Sequence, residues 1–371
     1  MATPEREFHA SRTHDPDAPV VVRFPALGDA VLLTPLIEAL ARRYGRPIHL
    51  LASGDWTPVL LNHDPDVAEL RMVTSRRAPY WSMPSQWSAV RWLRAHRGPI
   101  YFCERDVYGE RLLARTGLPE AQVLDAWAHY PGDQIHWADW WLAIAALDPP
   151  GLPGPPMPAG VPARPRIHAD PAWARDADAW LAARGVNGRP LVLMQPGHKK
   201  TYKRGRIGTL AHDKHWPAER WAAVAAAVCE QLPDAAVLVC GSTREAGLVQ
   251  EIIDATLALR PGARLVNVAR DPSLGRLAAF AARAHSMISV DTGPAHLAGA
   301  MDCPLVVLYA SAGWGRWLPR TASAQVIALG LRQPDPARKL LDLSAHDVID
   351  AWRGLQPRAA TVPAPAEPAL R

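Results

Sequence analysis

The chain of 371 residues has few cysteines, few lysines and no long apolar segment. No run reaches the roughly 18 consecutive apolar residues that a transmembrane helix needs. The four cysteines show no CxxC spacing, so neither a zinc ribbon nor a disulfide framework is expected. The N-terminal residues mix acids, prolines and histidines, whereas a secretion signal requires a basic block followed by an apolar one. We therefore expect a soluble protein in the reducing cytoplasm.

Two phosphate-binding motifs are missing as well. Neither GxGxxG nor a P-loop sequence occurs after a predicted strand, which argues against a nicotinamide dehydrogenase and a P-loop enzyme. Acidic DxD triplets occur at Asp64–Asp66 and Asp176–Asp178, but a three-residue pattern is weak evidence for metal-dependent nucleotide-sugar binding. No metal site and no cofactor are therefore predicted.

Positive charge is unevenly distributed. Residues 1–150 hold 15 basic and 18 acidic side chains, whereas residues 151–371 hold 26 basic and 18 acidic ones. Only five of the 41 basic residues are lysines, and four of these lie between Lys199 and Lys214. A basic surface is also typical of nucleic-acid binding, but no helix-turn-helix, RNP or zinc-finger pattern accompanies it, so no nucleic-acid partner is expected.

Proline and glycine indicate the domain boundaries. Residues 151–170 are too rich in them for a helix or a central strand, so they form a predicted linker. On either side, β-branched runs alternate with amphipathic stretches, which predicts an α/β fold of two doubly wound, Rossmann-like domains facing each other across a cleft. The predicted segments are a flexible tail (1–18), a first domain (19–150), the linker (151–170), a second domain (171–335), a C-terminal helix (336–356) and a disordered tail (357–371).

Strand and helix signals support this division. The predicted strands are Val20–Phe24, Leu191–Gln195, Ala236–Cys240, Arg264–Val268, Ser286–Val290 and Pro304–Tyr309. After the first strand, apolar residues recur at helical spacing between Leu33 and Leu40. Pro217 marks the start of another helix, and Ser344, with Asp347 three residues later, is the predicted N-cap of a final one.

The turn Pro25–Asp29 joins the first strand to the first helix. Ligands collect at the carboxyl ends of the strands in doubly wound sheets, and this turn lies there. Gly28 permits close approach to the backbone, and the helix dipole favours a carboxylate at Asp29. Asp29 could serve only as a helix cap; the alternative is that it acts as a general base.

The segment His198–Trp216 follows a predicted strand and holds six Lys/Arg and three His against one acid. Such a loop suits a polyanion, because lysines supply mobile charges while hydroxyl and backbone N–H groups supply hydrogen bonds. A solvated charged loop is the alternative. Thr201, Lys203 and Thr209 are candidate phosphate ligands within it.

Two further turns follow predicted strands. Asp291–His296 precedes a small-residue helix, whose unpaired N–H groups form an anion site and whose first turn accommodates Pro294. Asp291 could instead cap the helix, and His296 could be a buried packing residue. Gly241–Glu245 lies where a nucleoside hydroxyl is often held.

Tryptophan is abundant, with 15 Trp against four Phe. Trp rings stack on sugars, so some of these tryptophans could line an acceptor groove; the alternative is that they fill the core. The candidates are Trp81, Trp87, Trp92, Trp137, Trp140 and Trp141. Residues 71–115 hold nine Arg against three acids, which favours an anionic acceptor. Arg105 and Trp137 are the candidate acceptor-binding residues.

Taken in order, four motifs resemble glycosyltransferase family 9, the heptosyltransferases of lipopolysaccharide core synthesis. They are Val20–Leu40, Asp213–Trp221, Leu238–Glu245 and Ser289–Tyr309. The resemblance implies the GT-B fold, with the acceptor bound mainly by the first domain and an ADP-heptose donor by the second. It also implies inverting, metal-independent transfer to an anionic, lipid-linked saccharide, with possible peripheral contact at the cytoplasmic face of the inner membrane.

The same resemblance implies residue roles. Asp29 resembles the catalytic base and Lys214 the lysine that neutralises the donor diphosphate. Asp291–Gly293 resembles the turn at the diphosphate and heptose, and Glu245 the acid that holds the adenosine ribose. The candidate donor-binding residues are Gly28, His198, Thr201, Lys203, Thr209, Gly241, Ser242, Glu245, Asp291, Thr292, Gly293 and His296.

Two alternatives stay open. Residues 80–141 match the family only loosely, so a related ADP-sugar transferase with another acceptor, such as a capsule, an O-chain or a protein glycan, is one of them. The other is a nucleotide-sugar-binding module without catalysis.

Overall fold

The computed structural model describes residues 15–198, 202–203, 206–207 and 214–358. The chain forms two compact units, and the boundary between them falls between His168 and Ala169, within the predicted linker. None of the helices in the described part of the chain has the length and apolar character needed to cross a bilayer. All four cysteines lie in this part, are buried and form no disulfide.

Unit 1 is a five-stranded parallel sheet with the strand order β3-β2-β1-β4-β5. Its strands are β1 (Val20–Val22), β2 (Ile48–Ala52), β3 (Val67–Met72), β4 (Ile100–Phe102) and β5 (Val123–Asp125). Its helices are α1 (Leu27–Leu32), α2 (Thr34–Tyr44), α3 (Trp56–Leu61), α4 (Pro84–Arg94), α5 (Val107–Ala114) and α6 (Trp137–Ala145).

Unit 2 contains a six-stranded parallel sheet with the order β10-β9-β6-β11-β12-β13, and a short antiparallel pair, β7-β8. Its strands are β6 (Leu191–Gln195), β7 (Tyr202–Lys203), β8 (Arg206–Ile207), β9 (Ala236–Val239), β10 (Leu265–Asn267), β11 (Ser286–Val290), β12 (Leu305–Leu308) and β13 (Val326–Leu329). Its helices are α7 (Pro171–Ala182), α8 (Ala218–Gln231), α9 (Ala246–Leu259), α10 (Leu274–Arg283), α11 (Gly293–Ala300) and α12 (Ala345–Arg353).

The central strands are apolar on both faces because helices cover both sides of each sheet. Every residue of β6, β9, β11 and β12 is buried. In unit 2, α8, α9 and α12 pack on one face, and α7, α10 and α11 pack on the other. Each fully buried aliphatic side chain contributes about 1.5–3 kcal/mol, so these two layers hold the sheet in place.

The predicted secondary structure is confirmed in its main elements. Leu191–Gln195 and Ser286–Val290 are strands with the predicted bounds, and the other four predicted strands are shorter by one or two residues. Ser344 caps α12, since its hydroxyl accepts the Asp347 N–H at 3.1 Å. The edge strand β13 was not predicted, although its four residues are all apolar; they are only partly buried.

The order of the strands reverses once in each sheet. In unit 1 the reversal lies between β1 and β4, and in unit 2 it lies between β6 and β11. Loops that leave such neighbouring strands in opposite directions open a crevice at the carboxyl edge of the sheet. The turns that follow these four strands are therefore the places where the fold positions ligand-binding residues.

Candidate active site

An ion pair joins two of the predicted site residues of unit 2. The Lys214 ammonium nitrogen lies 2.6 Å from Asp291 Oδ2 and 3.0 Å from the Asp291 carbonyl oxygen. Both side chains are largely shielded from solvent, with exposed fractions of 24% and 11%. The carboxylate and the carbonyl thus hold one positive charge directly after β11.

The segment before α8 holds Lys214 in this place. Trp216, two residues later, is buried against Trp221 of α8, with the ring centroids 4.9 Å apart. Its indole N–H donates to the Leu343 carbonyl at 3.0 Å. Because this anchor fixes the backbone beside Lys214, the side chain extends from an ordered position toward the end of β11.

The first turn of α11 begins beside this pair. Thr292 is its N-cap in an extended conformation, and its side chain makes no capping hydrogen bond. Gly293 and Pro294 follow, so a proline occupies a position whose N–H would have no partner within the helix. The N–H groups of this turn favour an anion, as does the helix dipole.

His296 lies one turn into α11 and is buried, which agrees with the packing interpretation of the sequence. Its Nε2 is nevertheless 4.0 Å from Asp291 Oδ1, on the side of the carboxylate away from the lysine contact. Asp291 thus lies between Lys214, which donates hydrogen bonds to it, and His296, which is near its other oxygen.

The turn after β9 holds a buried carboxylate. Glu245 is 5% exposed, and its Oε2 accepts both the Ser242 N–H at 2.7 Å and the Ser242 hydroxyl at 2.8 Å. Its other oxygen, Oε1, is buried and has no hydrogen-bond partner among the residues that the structure describes. A Cβ at Gly241 would approach Glu245 Cβ to 3.2 Å and Ala269 Cβ to 3.3 Å, so glycine suits the close packing of this turn.

The loop after β6 completes this edge of the sheet. Gln195 donates to the Gly197 carbonyl at 2.9 Å, which shapes the turn that leads to His198. His198 is partly buried, in a turn beside the reversal point. Thr201, the side chain of Lys203 and Thr209 lie outside the described residues, so their contacts are not placed.

Neighbouring strands bring the donor-side candidates together. β9, β6 and β11 are adjacent in the sheet, and the turns carrying Ser242, His198 and Asp291 follow them at the same carboxyl edge. Residues as far apart in sequence as His198 and Asp291 therefore share one edge, as expected for a nucleotide site in a Rossmann-like unit.

Asp29 occupies the corresponding position in unit 1. It is the third residue of α1, and its carboxylate accepts the Ala26 N–H at 3.3 Å. Gly28 precedes it in the first turn, and both residues are partly exposed. The contact to Ala26 agrees with a helix-capping role but is long for a hydrogen bond to a charged oxygen, and the exposed part of the carboxylate stays available to a ligand.

Sequence reasoning missed a second carboxylate at the same edge. Glu104, which follows β4, is 6% exposed. Its Oε2 accepts the Phe24 N–H at 2.9 Å and lies 3.2 Å from the Arg76 guanidinium, while its Oε1 lies 3.4 Å from the Arg23 guanidinium. Arg76 also donates to the Phe24 carbonyl at 3.1 Å.

Glu104 and Arg76 thereby hold both peptide groups of Phe24, the residue that enters the turn containing Asp29. The signal that could have found Glu104 is its position directly after an apolar strand, the rule that identified Asp29. It was missed because β4 is only three residues long.

The two acceptor-side candidates have different surroundings. Arg105 is exposed, and its guanidinium lies 4.9 Å from the centroid of the Trp127 ring. Trp137 is 5% exposed and packs against Trp127 and Trp140, with ring centroids 5.6 and 4.7 Å away. Its burial agrees with the interpretation that the tryptophans fill the core. Contact of Trp137 with an acceptor stays a prediction, and the low exposure of the side chain does not support it.

Both DxD triplets are engaged by arginines. Arg166 lies 3.2 Å from Asp66, and Arg276 lies 3.0 Å from Asp176. Burial raises the pKa of Asp64 above its ordinary value, against the opposing effect of the Asp66 N–H that it accepts. Within the described residues, no group of three or more His, Cys, Asp or Glu side chains is arranged to hold a metal ion.

The chain was compared with known proteins. Residues 174–345 match the family model "Glycosyltransferase family 9 (heptosyltransferase)". Lipopolysaccharide heptosyltransferase 3 of Escherichia coli (strain K12) is 24% identical over 362 residues, which cover 90% of this chain and 96% of that protein.

Solved structures share the fold. The glycosyl transferase family 9 protein from Veillonella parvula DSM 2008 superposes with a TM-score of 0.73 at 18% identity, covering 92% of this chain and 97% of that one. The ADP-heptose lps heptosyltransferase II of E. coli gives a TM-score of 0.66 at 19% identity, covering 91% of this chain and 98% of that one.

Two Rossmann-like units with ligand-binding turns at their strand ends form the GT-B fold that these solved structures share, so the predicted fold is confirmed. The match of residues 174–345 to this family model and the similarity to lipopolysaccharide heptosyltransferase 3 indicate a glycosyltransferase similar to the heptosyltransferases of family 9, as the motifs predicted.

Proposed function

We propose that the protein transfers heptose from ADP-heptose to an anionic saccharide of the lipopolysaccharide-core type, with inversion at the anomeric carbon and without a metal ion. The observation that carries this proposal is the Lys214–Asp291 pair at the uncapped first turn of α11. It offers an ammonium group and a helix N-terminus to one diphosphate. The similarity to the E. coli enzymes whose names specify heptose and ADP-heptose supports the choice of donor.

The donor binds to unit 2 in this proposal. Its diphosphate lies at Lys214 and the N–H groups of Thr292 and Gly293, where positive charge and the helix dipole act together. Glu245 accepts a ribose hydroxyl with Oε1, the oxygen without a hydrogen-bond partner in the described part of the chain. A buried acceptor without a partner costs about 1–3 kcal/mol, and a hydroxyl donor from the ligand removes that cost.

Asp29 acts as the general base. The acceptor hydroxyl oxygen attacks the anomeric carbon of the heptose, and its proton passes to the Asp29 carboxylate. The bond between the anomeric carbon and the phosphate oxygen breaks, and its electron pair leaves with ADP. Attack from the face opposite the leaving group inverts the configuration at that carbon.

Negative charge grows on the departing diphosphate during this step. Lys214 and the first turn of α11 stabilise it, which is the contribution that a divalent cation makes in metal-dependent transferases. Asp291 keeps the ammonium in position before the donor arrives and gives up part of the contact when the diphosphate takes its place.

The acceptor is anionic and lipid-linked in this proposal, which brings the enzyme to the cytoplasmic face of the inner membrane. The nine arginines of residues 71–115 against three acids supply the complementary charge. Arg105, exposed beside Trp127, is the arginine best placed to meet an acceptor near the carboxyl edge of the sheet.

A donor and acceptor screen tests the proposal. Isothermal titration with ADP-heptose, ADP-glucose, UDP-glucose and GDP-mannose measures donor choice, and incubation with heptose-deficient core oligosaccharides measures transfer. We expect ADP-heptose to bind. We also expect the anomeric configuration of the product, determined from NMR coupling constants, to be opposite to that of the donor. Tight binding of a UDP- or GDP-sugar alone would contradict the assignment of ADP-heptose as the donor. A product with retained anomeric configuration would contradict the inverting mechanism.

A further inference from the structure

The exposed large apolar side chains of unit 1 are close together in sequence. Seven large apolar side chains are exposed in the described part of the chain, and the four that belong to unit 1 fall between residues 81 and 108. They are Trp81, Trp87, Val107 and Tyr108, and Trp81 is 77% exposed. We call these four residues the apolar tip.

The fold places the apolar tip at one end of two neighbouring helices. α4 and α5 each follow a parallel strand, so both begin at the carboxyl edge of the sheet, and both pack on the same core layer. Trp87 lies in the first turns of α4, with Trp81 just before that helix, and Val107 and Tyr108 begin α5. The ring of Tyr80 lies between the two helices, 6.5 Å from the Trp87 ring of α4 and 4.8 Å from the guanidinium of Arg115, the C-cap of α5.

Arginines follow the apolar residues at one helical turn. Arg91 is four residues after Trp87, and Arg111 is four residues after Val107, so each pair shares one side of its helix. Both arginines are exposed, as is Arg77 in the loop before α4. No carboxylate of the described residues pairs with any of these three, whereas Arg76 and Asp106 neutralise each other at 2.8 Å. The exposed acid on this surface is Glu110.

We propose that this surface docks on an anionic phospholipid bilayer. Tryptophan and tyrosine rings favour the interface between headgroups and acyl chains, and arginines one turn, about 5.4 Å, away reach the lipid phosphates. The charge surplus favours a lipid surface over a second copy of the chain, because a symmetric dimer through this surface would bring like charges together. The inference rests on the proposed function only in the choice of partner, a bilayer that carries the acceptor.

Vesicle binding tests the surface without donor or acceptor. The full-length chain is sedimented with vesicles of phosphatidylethanolamine and phosphatidylglycerol, and with vesicles of phosphatidylcholine. We expect binding to the anionic vesicles that weakens as salt is raised from low to physiological concentration. The variant R91Q/R111Q should lose about fivefold in affinity for each arginine, and W81S should lose binding while keeping the wild-type melting temperature, since Trp81 is exposed.

Unit 2 provides matched controls. L257S/L259S removes two exposed apolar side chains of α9, and R175Q removes an exposed arginine of α7. Both controls should bind vesicles like the wild type. The proposal fails if the wild type does not bind anionic vesicles at low salt, or if the apolar-tip variants and the control variants bind with equal affinity. It also fails if W81S changes the oligomeric state and leaves vesicle binding unchanged. Vesicle binding is measured without donor or acceptor, so failure of docking and failure of the proposed function give different results.

Discussion

Lys214 and Asp291, 77 residues apart in sequence, meet in an ion pair whose closest atoms are 2.6 Å apart. The pair brings the scarcest basic residue type of the chain to the strand end where a helix begins without a side-chain cap. A positive charge and a helix N-terminus at one point are the features that a diphosphate requires.

Replacing this lysine tests its role. Lys214→Ala should weaken ADP-heptose binding by about tenfold and reduce kcat by about 100-fold, because charge grows on the diphosphate in the transition state. Lys214→Arg should restore part of the binding. Titration calorimetry and steady-state kinetics measure both effects. Lys339→Ala, which removes an exposed lysine, is the control, and equal behaviour of the two alanine variants would exclude the role.

Asp29 is predicted to act on the acceptor hydroxyl alone. Asp29→Asn keeps the shape and the contact to the Ala26 N–H but cannot accept a proton, so kcat should fall by about 100- to 10,000-fold. The Kd for ADP-heptose should change by less than about twofold, because the donor residues belong to unit 2. Asp55→Asn, an exposed carboxylate before α3, is the matched control. A fully active Asp29→Asn enzyme would overturn the assignment.

Glu104 positions the backbone that leads to Asp29. Glu104→Ala leaves Arg23 and Arg76 without their buried partner and should lower the free energy of unfolding by about 3 kcal/mol. Glu104→Gln keeps an oxygen for the Phe24 N–H and should fold better, yet with kcat reduced about tenfold and an unchanged Kd for the donor.

Chemical denaturation and the separation of kcat from KM distinguish these effects. Glu110→Gln, an exposed acid of α5, is the control. If Glu104→Gln loses stability in proportion to activity, Glu104 is only structural.

Asp302 should make stability depend on pH. Burial opposes its ionisation, but hydrogen bonds from Ala324, Ser323 and Ala322 outweigh burial and lower its pKa below the ordinary value of 3.8. A lowered pKa means that the ionised carboxylate stabilises the fold above pH 3.8 and that this contribution disappears as the pH falls through the folded-state pKa.

Thermal melts of Asp302→Asn against the wild type measure this contribution. Asparagine tolerates the positive φ of 57° at this position, so backbone strain does not confuse the comparison. The variant should melt at a lower temperature at pH 7, and the difference should shrink as the pH falls below the ordinary pKa of 3.8 and through the lower folded-state pKa. A difference that persists at acid pH would mean that the hydrogen bonds do not require the charge.

Transfer should persist without divalent cations. Because Lys214 and the α11 N-terminus supply the positive charge in the proposed mechanism, excess EDTA should leave kcat unchanged, and Mg²⁺ or Mn²⁺ should not raise it. Loss of transfer in EDTA, with recovery on adding Mg²⁺ or Mn²⁺, would contradict the metal-independent mechanism.

The sequence predicted much of the local structure. Apolar runs identified β6 and β11 to the residue, and the Ser344–Asp347 spacing identified the cap of α12. The strand-end turns were recognisable because glycine, proline and acids interrupt apolar runs at those points. In contrast, Glu104 was missed after a three-residue strand, and the burial of Trp137 could not be read from its residue type.

Element types, helix caps and strand-end turns follow from residues a few positions apart, so the amino-acid order was sufficient to find them. Strand neighbours depend instead on hydrogen bonds between residues tens of positions apart. For that reason only the assembled sheets show three of the relationships described above. They are the pairing of β6 with β11, the ion pair of Lys214 with Asp291 and the hydrogen bond from the Phe24 N–H to Glu104.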